Sequence, residues 1–478
     1  MSPVAGGGPL VVIGDALLDR DLIGRVERLS PDAPVPVVDE VEERLRPGGA
    51  GLAAALAATD GREVILVTAL ADDAAGARLR GLLDGLVTVL AVPLDGQTPE
   101  KTRVRAAGQP LLRLDRGGAG GAVGPLDDDV VRAVQRAVRG AGAVLVADYG
   151  RGVAAHPPLR EAIAAAVGRM PVVWDPHPRG PAPVPGVALA TPNADEARRL
   201  VPVPPGARPG EHPDGLRAVH ARASALVRSW AAGGVAVTLG SRGALLSVGE
   251  ANPLVVPAPR VPGADPCGAG DRFSSAAAGL LAAGAVLSEA VYGAVAAASA
   301  FVAAGGAGQV GTPGTSEARD SRTAGVSSTT EVVARTRARG GTVVATGGCF
   351  DLLHAGHVAT LSAARGLGDC LVVCLNSDAS VRRLKGPDRP LVPERDRERV
   401  LRALASVDAV EVFDEDTPVD VLDRLRPDVW AKGGDYAGAA LPETDVLARW
   451  GGQAVVLPYL AGRSTSRLVR AATTVGGG

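Results

Sequence analysis

Short apolar runs alternate with Ala- and Arg-rich stretches along most of this 478-residue chain. Short buried strands that alternate with helices form parallel sheets covered by helices on both faces. The pattern therefore predicts an α/β fold, with helices over 127–139 and 216–232. The predicted strands are the apolar runs at 10–13, 64–67, 144–147, 172–174 and 235–239.

The pattern is interrupted once. Residues 312–330 are small and polar without apolar periodicity, which is typical of a linker. A second α/β pattern follows, with a strand at 342–346, a helix near 356–366 and a strand at 370–375. We therefore expect an N-terminal domain over 1–311, a linker over 312–330 and a C-terminal domain over 331–478.

Charge and composition exclude several classes of protein. The 50 basic and 52 acidic residues nearly balance, which disfavours a nucleic-acid or membrane-surface binder. No apolar run is long enough to span a bilayer and the first residues lack a signal-peptide pattern, so we expect a cytoplasmic protein. The four cysteines and six histidines show no zinc-site spacing. Only Lys101, Lys385 and Lys432 are lysines, which makes each a candidate for a required compact charge.

The strongest motif of the first domain is Gly268-Ala269-Gly270-Asp271, before a helix-like stretch over 272–284. The backbone N–H groups of its first three residues would form an anion hole at a helix start. A carboxylate beside phosphate is repelled unless it accepts a proton, so Asp271 is a candidate general base. A glycine-rich turn capped by an Asp is the alternative interpretation.

Three upstream motifs extend this pattern: Gly48-Gly49, Asn193 to Glu196, and Thr238 to Gly240. Their order resembles the ribokinase-like sugar kinases. The resemblance implies a ribokinase-like α/β sandwich domain in which Glu196 organises Mg²⁺ indirectly and Asp271 is the base. A solvated helix turn is the alternative for Glu196. The residues that the resemblance assigns to ATP binding are Asn193, Glu196, Thr238 and Gly240.

The second domain carries His354-Ala-Gly-His357 after a predicted strand and at a helix start. The small residues allow a nucleotide phosphate to approach the backbone, and both imidazoles can donate to the α-phosphate as charge develops. A metal site or a structural histidine pair is the alternative. Further along, Ser464-Thr465-Ser466 precedes a predicted helix and is either a β- and γ-phosphate site or an ordinary N-cap.

These features resemble the HxGH nucleotidyltransferases of the cytidylyltransferase type. The resemblance implies a Rossmann-like domain that transfers a nucleotidyl group to a phosphate and releases pyrophosphate, with Mg²⁺, Lys and His offsetting charge. For the two lysines, a surface position is the alternative. The candidates for ATP and substrate binding, beside the two histidines, are Gly348, Phe350, Asp351, Lys385, Lys432, Asp435, Ser464, Thr465 and Ser466.

Together the two halves resemble the bifunctional family of ADP-heptose synthesis, in which D-glycero-β-D-manno-heptose-7-phosphate kinase is joined to heptose 1-phosphate adenylyltransferase. The segment from Ser30 to Val38 is the most specific part of the match. The resemblance implies ATP as donor in both halves, a phosphatase acting between the two steps, and a homodimer through the kinase domain. The implied sugar-phosphate residues are Asp15, Gly48, Gly49, Lys101 and Arg103.

Some residues leave alternatives open. Lys101 and Arg103 would share one face of an extended segment, but an exposed basic strand edge is also possible. Leu52 stands where the family usually has Asn, while Cys267 and Arg272 stand where it commonly has Thr. The same chemistry on another sugar phosphate is therefore one alternative. A kinase-like binding module without activity, fused to an active nucleotidyltransferase, is the other.

Overall fold

The computed structural model describes residues 8–106, 109–117, 122–204, 206, 212–259, 261, 266–309, 328–434 and 441–458. Contacts divide the chain into two compact units. The first comprises Met1–Pro204, Ala225–Thr238 and Val261–Thr312, and the second comprises Pro205–Ser224, Leu239–Arg260 and Pro313–Gly478. Two inner segments thus group with the second unit, and a helix begins at Thr329, inside the expected linker. The boundaries at 311 and 331 stay a prediction.

The strands include all five predicted in the first half of the chain. In chain order they are β1 Leu10–Gly14, β2 Ala16–Leu29, β3 Pro36–Gly49, β4 Val64–Leu70, β5 Thr88–Asp95, β6 Glu100–Ala106, β7 Gln109–Arg116, β8 Ala122–Val123, β9 Ala143–Ala147, β10 Val172–Asp175, β11 Leu189–Ala190, β12 Val235–Thr238, β13 Ala244–Ser247, β14 Leu254–Val256, β15 Val343–Gly348, β16 Cys370–Asn376, β17 Ala409–Phe413, β18 Val429–Gly433 and β19 Gln453–Leu457.

The helices predicted over 127–139, 216–232, 272–284 and 356–366 are also present, with ends that differ by a few residues. The helix predicted after Ser466 lies outside the described residues. The helices are α1 Ala50–Thr59, α2 Ala74–Leu83, α3 Asp128–Gly140, α4 Pro157–Ala166, α5 Ala194–Leu200, α6 Leu216–Trp230, α7 Ala269–Ala282, α8 Leu287–Ala303, α9 Thr329–Ala338, α10 Ala355–Arg365, α11 Asp378–Lys385, α12 Glu394–Arg402, α13 Val419–Leu425 and α14 Thr444–Ala448. Within the described ranges, none of them is long and apolar enough to cross a bilayer.

The first unit is built on a parallel sheet in the order β12-β11-β10-β9-β1-β4-β5. Strands β1 and β9 are buried along their whole length, as expected for strands with helices on both faces. Parallel strands place their carboxyl ends at one edge, where ligands bind in such sheets. Asp15, Asp148 and Asp175 lie at this edge, directly after or at the end of β1, β9 and β10.

A second sheet of the first unit, in the order β3-β2-β6-β7, was not predicted. Strand β2 pairs antiparallel with β3 and parallel with β6, and β7 runs antiparallel to β6. The end of β2 nearest β1 is buried and its far end is exposed. This four-stranded sheet therefore extends outward from the edge where the first sheet's acidic side chains lie.

The second unit contains the expected Rossmann-like sheet. Its five parallel strands follow the order β17-β16-β15-β18-β19, so β15, the first of the five in the chain, lies at the centre. The core on its faces includes Val343, Cys374 and Trp430. Strand β14 joins the sheet at Leu254, which pairs with Val456 of β19. The central strand β15 ends at Gly348, six residues before His354.

Candidate active sites

Asp271 lies in the first turn of α7, directly after the glycine turn, and its side chain is buried. Gly268 caps this helix with φ of +82°, a left-handed conformation that favours glycine. The Ala269 N–H already donates to the Pro266 carbonyl at 3.0 Å. Of the three expected anion-hole donors, Gly268 and Gly270 are therefore better candidates than Ala269.

Tyr149 brings three of the predicted residues together. Its hydroxyl donates to Oδ1 of Asp271 at 2.5 Å. Its ring lies beside Gly49, where an added Cβ would be 3.3 Å from the ring carbons. The Lys101 ammonium lies 5.5 Å from the ring centroid, within cation–π distance. Tyr149 is not among the site residues predicted from the sequence, although it stands between Asp148 and Gly150 just after β9.

Burial raises the pKa of Asp271 to about 7. The Tyr149 hydrogen bond and the Lys101 charge oppose this increase, whereas the negative charge of Asp19 adds to it. A general base works best when its pKa lies near the working pH. The surroundings of Asp271 therefore suit a group that takes up a proton near neutrality.

Asp15 has a structural role. Its buried carboxylate accepts hydrogen bonds from the backbone N–H groups of Tyr149, Arg151 and Val153, at 3.0, 3.0 and 3.1 Å. These bonds hold the loop after β9 and occupy both carboxylate oxygens. The expectation that Asp15 binds the sugar phosphate therefore has no support from this geometry.

Asp19, four residues later, lies at the predicted sugar site instead. A Cβ at Gly48 would come within 2.6 Å of Asp19 Oδ2, so glycine at 48 is needed to admit the carboxylate. Arg103 donates to Asp19 Oδ1 at 2.6 Å. The Arg103 charge is thus offset by a carboxylate, and the arginine orients Asp19.

Lys101 and Arg103 do share one face of β6, opposite Asp19 and Asp21 of β2. Strand β6 lies between β2 and β7, which rules out the exposed-edge alternative. Lys101 is half-buried, and it makes no ion pair with any residue in the described part of the chain. Burial lowers its pKa, and the charges of Arg151 and Arg103 lower it further.

Asn193 and Glu196 form a capping box at the start of α5. The Asn193 side chain accepts from the Glu196 N–H at 2.9 Å, and the Glu196 carboxylate accepts from the Asn193 N–H at 2.8 Å. Burial raises the pKa of Glu196, and its charge helps to raise that of buried Asp175. The Glu196 carboxylate thus lies close enough to the acidic edge of the sheet to act on Asp175, while it also caps α5. Its part in nucleotide binding stays a prediction.

The predicted nucleotide segment lies where β12 ends. Thr238 forms a β-bridge with Asn193, which joins the two predicted nucleotide motifs in the first unit. Gly240 is exposed and begins the following turn with φ of +61°.

The residues that depart from the family pattern have defined contacts. Leu52 is buried in an apolar cluster with Leu56 and Ala307, against which Cys267 and Phe301 pack. A Cβ at Gly268 would lie 2.9 Å from Leu52, so this cluster supports the glycine turn from below.

Arg272 turns away from its neighbour Asp271. Its two Nη atoms donate to the Asp60 carboxylate at 2.6 and 2.9 Å, a bidentate pair that ties α7 to the end of α1. This departure therefore leaves the Asp271 carboxylate and its Tyr149 contact in place.

In the second unit, the two predicted histidines stack at the start of α10. Their ring centroids are 3.9 Å apart, and the Phe350 ring lies 5.3 Å from His357. Nδ1 of His354 accepts from the Gly356 N–H at 3.1 Å, so a neutral His354 carries its proton on Nε2. Burial lowers the pKa of His357 to about 4, with the charges of His354 and Lys385 adding to the effect.

Asp351 clamps the loop before these histidines. It accepts from the backbone N–H groups of Leu391 and Val392 at 2.6 and 3.1 Å and from Arg389 at 2.5 Å. Burial alone would raise the pKa of Asp351, but these hydrogen bonds hold it below its ordinary value. Its position favours a structural role over direct contact with a ligand. Phe350, just before it, has φ of +44°.

The remaining predicted residues of this unit occupy several places. Gly348 ends β15, where an added Cβ would lie 3.2 Å from the Phe350 ring. Lys385 is exposed at the end of α11, and Lys432 on β18 pairs with buried Glu443 at 2.9 Å. No group of three metal-ligand side chains occurs among the described residues. Asp435, Ser464, Thr465 and Ser466 lie outside the described residues.

Comparisons with known proteins match each half of the chain to a family. The model for the pfkB family carbohydrate kinases matches residues 9–313, and the cytidylyltransferase-like model matches residues 345–452. The bifunctional protein HldE of Streptomyces coelicolor is 60% identical over 465 residues, which cover 97% of this chain and 96% of that protein. The chain belongs to the HldE family.

Another HldE protein, from Azorhizobium caulinodans, is 38% identical over 490 residues, covering 98% of both chains. The solved structure of Arabidopsis thaliana ribokinase complexed with ribose and ATP has a TM-score of 0.46 and 23% identity, covering 62% of this chain and 93% of that one. Like other members of the HldE family, the chain joins a sugar kinase and a nucleotidyltransferase.

Arg397 is a second residue that sequence analysis missed in this HldE-family chain. Its side chain is 1% exposed and donates to the carbonyls of Cys349 and Asn376 at 2.6 and 2.9 Å. It also donates to Val392 O at 2.9 Å and to Asp378 at 2.7 Å. Arg397 thus joins the loop before the histidines to the end of β16.

Arg397→Met should strongly reduce nucleotidyl transfer and leave the kinase reaction unchanged. The change leaves the carbonyls of Cys349, Asn376 and Val392 without the Arg397 donor, and a buried polar group that loses its partner costs about 1–3 kcal/mol. Calorimetry and pyrophosphate release would measure both effects. The control is Arg399→Met, which changes an exposed neighbour on α12. Wild-type melting and nucleotidyl transfer in Arg397→Met would contradict the assignment.

Proposed function

We propose that the chain catalyses two ATP-dependent steps of ADP-heptose synthesis. The first is phosphorylation of D-glycero-β-D-manno-heptose 7-phosphate at O1. The second, after a phosphatase has removed the 7-phosphate, is adenylyl transfer from ATP to heptose 1-phosphate. One observation carries the proposal: two helices of this HldE-family chain begin with residues suited to phosphate chemistry. Buried Asp271 lies in the first turn of α7, and the stacked pair His354 and His357 lies at the start of α10.

In the kinase step, Asp271 takes the proton of the O1 hydroxyl as O1 attacks the γ-phosphorus of ATP. The N–H groups of Gly268 and Gly270, at the positive end of α7, stabilise the transferring phosphoryl group. Asp19, held by Arg103, binds sugar hydroxyls in the place first assigned to Asp15. Gly48 and Gly49 allow the sugar to approach the backbone.

Lys101 is the residue that we assign to the second phosphate of the sugar. It is half-buried, lacks a carboxylate partner among the described residues, and lies over Tyr149 beside Asp271. Arg103, the other predicted cation, is paired with Asp19. The charges of Asp19 and Asp115 act on Lys101 from a distance, but neither residue forms an ion pair with it in the described part of the chain. The compact ammonium can therefore pair with a phosphate that arrives with the substrate.

Lys101→Met should raise the kinase KM for the sugar phosphate by roughly tenfold to a hundredfold, since hydrogen bonds to charged groups contribute about 1.5–3 kcal/mol. The effect on kcat should be smallest above pH 7, because the Lys101 charge also lowers the pKa of Asp271 and its loss weakens the base mainly at lower pH. The matched control is Arg113→Met on β7, whose side chain is 61% exposed. An unchanged KM would contradict the assignment.

Magnesium with ATP is the cofactor that we propose. Mg²⁺ keeps several waters and is usually held by one or two carboxylates plus phosphate oxygens, so its site needs no cluster of three protein ligands. Glu196, at the acidic edge of the sheet, fits an indirect contact of this kind. When bound, the ion offsets negative charge on the phosphates.

In the adenylyl step, a phosphate oxygen of heptose 1-phosphate attacks the α-phosphorus of ATP, and pyrophosphate leaves. His354 donates through Nε2, because its Nδ1 is held by the Gly356 N–H. His357, with a pKa of about 4, is neutral at physiological pH and donates as a neutral imidazole. Lys385 adds positive charge near the pair. These groups stabilise charge at the α-phosphate without a covalent intermediate.

We also propose a cytoplasmic homodimer that pairs through the four-stranded sheet of the kinase half. Large apolar side chains are exposed on this sheet and its connecting turn, which is unusual unless a partner covers them. They are Val26, Leu29, Val35, Val41, Leu111, Leu112 and Leu114. A measured mass of one chain in solution would exclude this assembly.

A panel of sugar phosphates with purified protein and ATP tests the kinase assignment. ADP release should be fastest with heptose 7-phosphate. Good turnover of another sugar phosphate beside none of heptose 7-phosphate would overturn the substrate. The absence of any kinase turnover would support the inactive-module alternative, which the contacts of Arg272 and Asp271 disfavour.

A further inference from the structure

Tyr149 contacts both the predicted sugar residues and the proposed base of the kinase site. Its backbone N–H donates to Asp15, its ring packs beside Gly49 and its ring face meets Lys101. Its hydroxyl makes one side-chain hydrogen bond, to Oδ1 of Asp271. The phenol therefore links the sugar side of the site to the proposed base.

We propose that Tyr149 is a positioning residue for the kinase step: its hydroxyl holds one oxygen of the Asp271 carboxylate, so that the other oxygen receives the substrate proton. This role rests on the proposed function, because it takes Asp271 as the base. Tyr149 thereby fixes the direction in which the carboxylate faces the sugar.

The kinase step breaks two bonds and forms two. The O1–H bond of the sugar breaks, and its proton goes to Oδ2 of Asp271. O1 forms a bond to the γ-phosphorus while the bond from that phosphorus to the β–γ bridging oxygen breaks. ADP leaves with that electron pair, and Tyr149 keeps its own proton throughout.

The electrostatics agree with this division of roles. Burial and the charge of Asp271 raise the pKa of Tyr149 well above 10, so the hydroxyl stays a donor. The hydrogen bond stabilises the ionised Asp271 and opposes the burial that raises its pKa to about 7. The other charged groups that act on the pair are Asp19 of β2, Lys101 of β6, Asp175 of β10 and Glu196 of α5.

Tyr149→Phe tests the role, since it keeps the ring contacts with Gly49 and Lys101 and removes only the hydroxyl. Loss of a hydrogen bond to a charged group should move the low-pH fall of kinase kcat/KM upward by about one to two pH units. At pH 7 this should lower kcat/KM by about tenfold. The measurement is the pH profile of ADP release with limiting sugar phosphate.

The matched control is Tyr292→Phe on α8, which changes a 44% exposed tyrosine and should leave the profile unchanged. A wild-type melting profile of Tyr149→Phe by calorimetry would show that the kinase half is folded, and wild-type nucleotidyl transfer would show the same for the other half. A low-pH fall that stays at the wild-type pH would overturn the role, whatever the rate. If the wild-type protein uses another sugar phosphate, the proposed function is wrong. The pH profiles of wild type and Tyr149→Phe are then compared with that substrate, which tests the role of Tyr149 separately.

Discussion

Asp271→Asn should lower kinase turnover by about a hundredfold to ten-thousandfold, the usual contribution of a general base. The amide retains the shape of the carboxylate but cannot accept the O1 proton. Adenylyl transfer to supplied sugar 1-phosphate should continue at the wild-type rate. ADP release and pyrophosphate release, measured separately on one preparation, give both results.

The matched control for this change is Asp128→Asn, which alters an acid on α3 that is 93% exposed. It should leave both reactions unchanged. Kinase turnover that survives in Asp271→Asn would show that another group takes the proton. Loss of both reactions together would point to misfolding, which calorimetry would detect.

Replacing either stacked histidine should reduce adenylyl transfer and leave the kinase reaction unchanged. His354→Ser keeps a residue that caps helices well but removes the imidazole, so it separates the phosphate contact from the cap of α10. Loss of one positioned donor should lower adenylyl transfer by about a hundredfold to a thousandfold. His357→Ala should have a similar effect, while ADP release by the kinase half stays unchanged.

The control for the histidine variants is His212→Ala, which changes an exposed histidine in the same unit. Pyrophosphate release is the measurement, with heptose 1-phosphate and ATP supplied. Near-normal release in both His354→Ser and His357→Ala would contradict the assigned donors. It would favour the interpretation that the two histidines are a structural pair.

The elements that could be predicted are those marked by a few neighbouring residues in the sequence. Strands β1 and β9 are continuous apolar runs because helices cover both of their faces. The Gly268 turn is visible because its left-handed conformation favours glycine. Strand β3 has no such signal, because its middle is a mostly charged and exposed stretch over 39–44.

For the candidate sites too, contacts between residues far apart in the chain could not be predicted from the sequence. Asp15 and Asp19 are both acids near the end of β1, and only the course of the loop 149–153 shows that Asp15 binds backbone N–H groups. Tyr149 and Asp271 are 122 residues apart in the chain, and Arg397 and Cys349 are 48 apart. Contacts of this range leave no spacing pattern that a single sequence reveals.

Mass spectrometry of the products formed from heptose 7-phosphate and ATP tests the central claim most directly. Without a phosphatase, we expect heptose 1,7-bisphosphate and ADP as the products. With a phosphatase that removes the 7-phosphate, we expect ADP-heptose and pyrophosphate from the same chain. If folded protein converts neither heptose 7-phosphate nor heptose 1-phosphate, the assignment of two successive steps to these two sites is wrong.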